Sequence, residues 1–342
     1  MKEHELKIIF KPGRTGEENW EILQPEDIDF WRKSINEIKQ REYFHDGCSV
    51  VVKAEWSPVL RKLRKEYKAM QALYSGDVDA IKVFSGITKI PVKIEVSGNN
   101  DLSEHHWYPI FFLEHYAYEI FSITNLARPG VCDFFNLELE GNSRLEKGKE
   151  RHKGQLSSYN FEFAWELSLR KQFPQLEEIP LEDVISWYKN LNLGVKQKAS
   201  KPIEKALFSL LHICKTDGEI STIVWIFHAL EALFNTRVGE GFSNLINRIS
   251  VVLNLNPKEK SILKKNLRKL YDMRSSLVHG GYEIYHPMRR EVIDRSIDEQ
   301  YGEIYDNLQF GISIILACLQ MLIKKGWYGI DVSESINGLL QP

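Results

Sequence analysis

The rhythm of apolar positions changes once along this chain. Before residue 190, apolar residues come in short runs at 6–10, 49–52, 92–96, 134–139 and 159–163. These runs are rich in β-branched or aromatic residues and partly alternate, as half-buried strands do. Residues 26–39, 58–74 and 110–126 instead read as helices. The last opens after Pro109 and meets a breaker at Arg128, Pro129 and Gly130. The charged, glycine-containing stretch 140–155 reads as an exposed loop. Together these elements predict an α+β domain over residues 1–193.

Gly194, Lys196, Lys198 and Pro202 mark a polar connector, and after it the strand signals stop. One stripe carries Ile203, Ala206, Leu207, Leu210, Leu211 and Cys214. A second helix, over 219–235, aligns Ile223, Ile226, Phe227, Leu230, Leu233 and Phe234. A third covers 241–253. A fourth aligns Leu263, Leu267, Leu270, Tyr271, Leu277 and Val278, and a fifth runs over 294–325. Five amphipathic helices with short links predict an all-α bundle over residues 200–328.

The fourth helix carries the candidate chemistry. Arg274 falls on its apolar stripe, four residues after Leu270 and three before Leu277. A guanidinium facing a core is costly unless a carboxylate or a ligand answers it. Glu231 borders the second helix's stripe between Phe227 and Phe234, so it is the expected partner. That pair can serve structure alone, by fixing the register of the bundle, or it can support a site. His279 stands just before Gly280 and Gly281, which suit a helix C-terminus. Five residues turn an ideal helix by about 500°, so Arg274 and His279 point about 140° apart.

Arg274 and His279 with four residues between them, then Gly280 and Gly281, resemble the signature of the HEPN superfamily, specifically its ApeA-like branch. The run Ala229, Leu230, Glu231, Ala232, Leu233, Phe234 is similar to that branch's second signature. The run from Asn125 to Gly130 is similar to the region preceding such domains. The strong part of the likeness covers roughly the last 140 residues. It implies a helical HEPN bundle acting as a metal-independent endoribonuclease, with no cofactor and with Arg274 and His279 as the catalytic pair. The 2′-hydroxyl would attack the neighbouring phosphodiester and leave a 2′,3′-cyclic phosphate. It further implies a homodimer whose motifs meet across a two-fold axis, and a place in prokaryotic anti-phage defence or a toxin system. The N-terminal domain would then sense a phage or host trigger. Active members often carry Asn, Asp or another polar residue after the arginine, where this chain has Ser275, polar but weaker, as a supporting residue with Glu231.

The chemistry suits the residues. Arginine offers a fixed planar charge to phosphorane oxygens. An imidazole can take or give a proton near neutrality, and a helix C-terminus favours a cation. His279 therefore reads as a general acid or phosphate binder, with the base role left open. The alternative function is a non-catalytic HEPN dimerisation module that binds a nucleotide or RNA.

Net charge is −2, so RNA binding needs a local patch rather than a global field. Lys265, Arg268 and Lys269 lie off the apolar stripe, and Tyr282, His286 and Arg289 follow the motif. They can steer phosphates and stack a base, or form an ordinary solvated face. Cys48, Cys132, Cys214 and Cys318 are too far apart for a metal or redox motif and fit a reducing cytoplasm. His105 and His106 lack a third ligand at metal spacing. The N-terminal residues do not form a signal peptide. The most apolar run, 312–323, falls short of the roughly 20 residues a bilayer requires.

Overall fold

A computed structural model describes residues 2–10, 20–98, 100–142, 149–215, 220–236, 241–284, 286, 288, 290 and 292–333. The N-terminal half is built on one antiparallel sheet. Its strands are β1 (Lys2–Phe10), β2 (Gln40–His45), β3 (Cys48–Ala54), β4 (Thr88–Ser97), β5 (Phe134–Asn142) and β6 (Lys149–Leu156), in the order β2-β3-β4-β1-β5-β6. β4 shows the clearest alternation: Thr88, Ile90, Val92, Ile94 and Val96 are buried, and the residues between them face outward. β1 lies antiparallel against it, with Leu6 opposite Val92 and Ile8 opposite Ile90. Helices α1 (Trp20–Ile38), α2 (Ser57–Tyr74) and α3 (Trp107–Ala127) complete this layer. Tyr116 on α3 ties it to its neighbours: Trp56 Nε1–H donates to its hydroxyl at 2.7 Å, and that hydroxyl donates to the Ile38 carbonyl at 2.6 Å.

Three expectations for this half need correction. Residues 159–163 are not a strand but the start of α4 (Tyr159–Lys171). Tyr159, Phe161, Phe163 and Trp165 fall at every second position, which imitates a strand, but on the helix Phe161 and Trp165, four apart, share one buried face. Residues 140–155 are not one loop. Apart from 143–148, which lie outside the described residues, they extend the β5–β6 hairpin, with Glu140 opposite Arg151 and Glu138 opposite Lys153. Alternating charges across that pair mask a strand as a loop. β2 has no counterpart among the expected strands. It carries only Arg41 and Tyr43 inward, and it reaches β3 through Asp46 and Gly47, both at positive φ, as a tight hairpin requires.

The helical half matches its periodicity closely. α5 (Leu181–Asn190) precedes the connector. α6 (Pro202–Lys215), α7 (Thr222–Leu233), α8 (Phe242–Val252), α9 (Pro257–Val278) and α10 (Ser296–Lys325) follow. α10 is 30 residues long and runs through the middle of the core. By length and composition its stretch Ile304–Lys325 would pass for a bilayer span, yet 89% of the apolar window is buried inside the protein.

Buried residues on both sides of the connector belong to one cluster. Polar side chains of α10 stitch the halves together. Gln320 donates to the Leu126 and Glu177 carbonyls at 3.1 and 2.8 Å, and its oxygen accepts from the Glu177 N–H at 3.2 Å. Gln309 donates to Asn160, which in turn donates to the Ile213 carbonyl. The Arg128 breaker is a buried anchor. Its guanidinium pairs with Asp27, Glu26 and Glu178 at 2.7, 2.8 and 3.0 Å. That arrangement satisfies a charge whose burial would otherwise be prohibitive.

Gly311 sets the distance between α10, α7 and α9. A Cβ there would stand 2.9 Å from both Ile226 on α7 and Leu270 on α9. Gly311→Val should cost about 1–3 kcal/mol through overpacking. The urea midpoint of the variant measures it, and an unchanged midpoint would show that these helices tolerate separation.

Candidate functional site

α9 starts with a capping box. The Asn256 side chain accepts from the Glu259 N–H, and the Glu259 carboxylate accepts from the Asn256 N–H. Leu263, Leu267 and Leu270 then lie fully buried along one face. Beyond Leu270 the burial fades, which departs from the expected continuous stripe. Tyr271 and Leu277 are half-buried, and Val278 is 63% exposed. The last two turns of α9 therefore lie at the edge of the core rather than within it.

At that edge Arg274 reaches Glu231 on α7. Nη1 lies 2.7 Å from Oε1 and Nη2 3.5 Å from Oε2, a two-pronged contact across 43 residues of sequence. The guanidinium carbon also lies 5.2 Å from the Phe227 ring centroid. The two side chains keep 30% and 34% of their surface in solvent, so water screens the pair and its net stabilisation is about 1 kcal/mol or less. Phe227 continues into a row of rings, meeting Tyr271 edge-on at 5.8 Å, while Tyr271 lies 5.1 Å from Phe242. Arg268 closes the row with its guanidinium 4.1 Å from Phe242. Arg268 thus combines an exposed charge with a fixed stacking position.

The helix ends as its glycines predict. The Gly281 N–H donates to the Ser276 carbonyl at 2.8 Å, the Gly280 N–H to that of Leu277 at 3.5 Å, and Gly280 adopts φ +75°. This is the paired closure of a left-handed helix terminus. His279 occupies the cap itself, and its N–H donates to the Ser275 carbonyl. Its imidazole is exposed and makes no hydrogen bond among the described residues. No hydrogen bond or ring contact joins it to Arg274, as their divergence around the axis requires.

The other candidates distribute unevenly. Ser275, Lys265 and Lys269 are exposed, and Tyr282 is half-buried against the core. His286 is exposed, and its Nδ1 accepts from the Met288 N–H at 3.0 Å. Arg289 lies outside the described residues. A row of exposed apolar side chains follows the motif: Ile284 at 84%, Met288 at 77%, Val292 at 94% and Ile293 at 82%. Among known proteins, no family model, curated protein or solved structure matches the chain.

Sequence reasoning missed a cavity of about 330 Å³ between α3, α5, α6 and the connector. His115 on α3 and His212 on α6 both line it. Its lining comes from segments far apart in the chain, so no local motif marks it.

Two variants test this geometry. Gly280→Ala should lower stability by about 1 kcal/mol or more, because an L side chain is strained at that φ. Glu231→Gln should cost about 1 kcal/mol or less. Urea titrations check both, and a larger loss for Glu231→Gln would mean the pair is far less screened than its exposure indicates.

Proposed function

We propose that this chain is a metal-independent endoribonuclease of the HEPN type, serving prokaryotic anti-phage defence or a toxin system. Arg274 and His279 are its catalytic pair. The observation that carries the reading is an arginine held by a carboxylate and an aromatic face at the solvent edge of a helix, with an exposed imidazole at that helix's end. Glu231 holds the guanidinium in one orientation while leaving it accessible to an anion. In the reaction the RNA 2′-oxygen forms a bond to the adjacent phosphorus, and the bond from phosphorus to the 5′-oxygen breaks. The proton leaving the 2′-hydroxyl is balanced by one delivered to the 5′-oxygen. Arg274 neutralises charge on the phosphorane oxygens, and His279 moves one of the two protons.

A second copy of the chain completes the cleft. The half-exposed end of α9 and the apolar row beyond it support this, because exposed apolar patches mark interaction surfaces. Two-fold pairing brings the Arg274 of one copy toward the His279 of the other and removes the problem of their divergence within one helix. Lys265, Arg268 and Lys269 lie off the buried face of α9, where they can steer the RNA backbone.

One observation favours the second reading, a non-catalytic module that binds a nucleotide or RNA. Both oxygens of Glu231 already engage the Arg274 guanidinium. Incubating the full chain with RNA in EDTA separates the two readings. The nuclease reading predicts cleavage with 2′,3′-cyclic phosphate ends. Arg274→Ala and His279→Ala should each lose about a hundredfold or more while staying folded, with a melting temperature within a few degrees of the wild type. Binding of RNA without cleavage by the wild type supports the module, and cleavage unchanged in both variants removes Arg274 and His279 from the catalytic role.

A further inference from the structure

The cavity between α3, α5, α6 and the connector lies apart from the α9 motif, and its chemistry is specific. Four aromatic side chains from three helices face it: Phe111 and Tyr118 of α3, Tyr188 of α5 and Phe208 of α6. At about 330 Å³ it falls in the range of small-molecule sites. Its polar groups sort into those already committed and those still available. The Glu119 carboxylate accepts from Arg41 Nε–H at 2.8 Å and from the Tyr43 hydroxyl at 2.9 Å. Lys196 is held by Glu204 at 2.8 and 2.9 Å. Gln197 donates to the Val195 carbonyl at 3.1 Å, and its amide nitrogen lies 2.7 Å from His115 Nε2. His115 must therefore accept at Nε2 as a neutral ring, in keeping with burial that pushes it down to about 4.

Lys215 is different. It ends α6, lines the cavity and has no carboxylate partner among the described residues. Its ammonium lies 5.1 Å from the Tyr118 ring, so the cation already rests on an aromatic wall. Glu114 stands exposed at the same cavity and makes no hydrogen bond among the described residues. An aromatic slot with one available cation and one available carboxylate matches a flat ring that carries both an anionic group and an amino group.

We propose that this cavity binds a nucleoside monophosphate with an aminated base. The phosphate meets Lys215, the base lies among Phe111, Tyr118 and Phe208, and the exocyclic amine donates toward Glu114. The site joins both halves of the chain, since Tyr118 and Glu119 come from the sheet layer while Phe208 and Lys215 come from the bundle. A reporter is built in. His212 lines the cavity and stacks on Trp225 with centroids 4.1 Å apart and planes 5° apart.

The test is calorimetry with AMP, adenosine, inorganic phosphate and a short adenine oligoribonucleotide, with Trp225 emission as second readout and Trp225→Phe as its control. The full chain carrying Arg274→Ala is used throughout, so the outcome does not depend on the nuclease reading. AMP should bind at one site per chain and change Trp225 emission. Adenosine should bind about tenfold more weakly, and Lys215→Ala should lower AMP to the adenosine level. Glu114→Gln should weaken AMP and leave inosine monophosphate, which lacks the amine, unchanged. Lys215 and Glu114 are exposed, so neither change threatens folding. Absence of AMP binding at millimolar concentration, AMP affinity unchanged in Lys215→Ala, or displacement of AMP by the oligonucleotide would each overturn the proposal.

Discussion

A guanidinium at the margin of an apolar core must be met by an anion, and that requirement organises the helical half of this protein. Arg274 and Glu231 meet only because α7 and α9 lie close along a shared length. α10 enforces that closeness by presenting Gly311, the one side-chain-free position on its contact, to Ile226 and Leu270. The ion pair is weak as a source of stability, given its exposure. Its consequence is orientation: the guanidinium is held against Phe227 at a fixed height above solvent. Tyr271, Phe242 and Arg268 extend the same arrangement toward α8.

The two halves of the chain are not independent bodies connected by a tether. α10 reaches into the sheet layer through Gln320, whose three hydrogen bonds all go to backbone of the N-terminal half. Arg128, inside the breaker that ends α3, secures α1 and the segment after α4 from the other side. α10 thus touches both the sheet layer and the helices that carry Arg274 and Glu231. The cavity beside the connector lies on the seam between the halves, where a bound group would touch both.

Much of the helical half was legible because its stripes are complete. Ile223, Ile226, Phe227 and Leu230 leave no alternative period, and all are buried. The Arg274–Glu231 pair was legible for the same reason, since two charges on two apolar stripes require each other. What failed in reading was local. The β5–β6 hairpin pairs charged residues across its strands, so beyond Phe134, Leu137, Leu139 and Leu156 few apolar positions mark it. α4 packs aromatic residues so densely that alternation and helical spacing coincide over five positions. Val278 obeys the stripe but outruns the core, because periodicity reports direction and not whether anything stands opposite. The seam cavity was illegible in principle: Tyr118, Tyr188 and Lys215 meet only after the chain has folded.

The proposed cleft requires a second copy to cover the end of α9, and a single engineered thiol tests that. All four native cysteines are buried, so Val278→Cys introduces the only exposed thiol among the described residues. Mild oxidation of the dilute, folded variant should give a covalent dimer on a non-reducing gel in high yield, with the wild type remaining single. A variant that stays monomeric with its new thiol freely titratable would contradict the account.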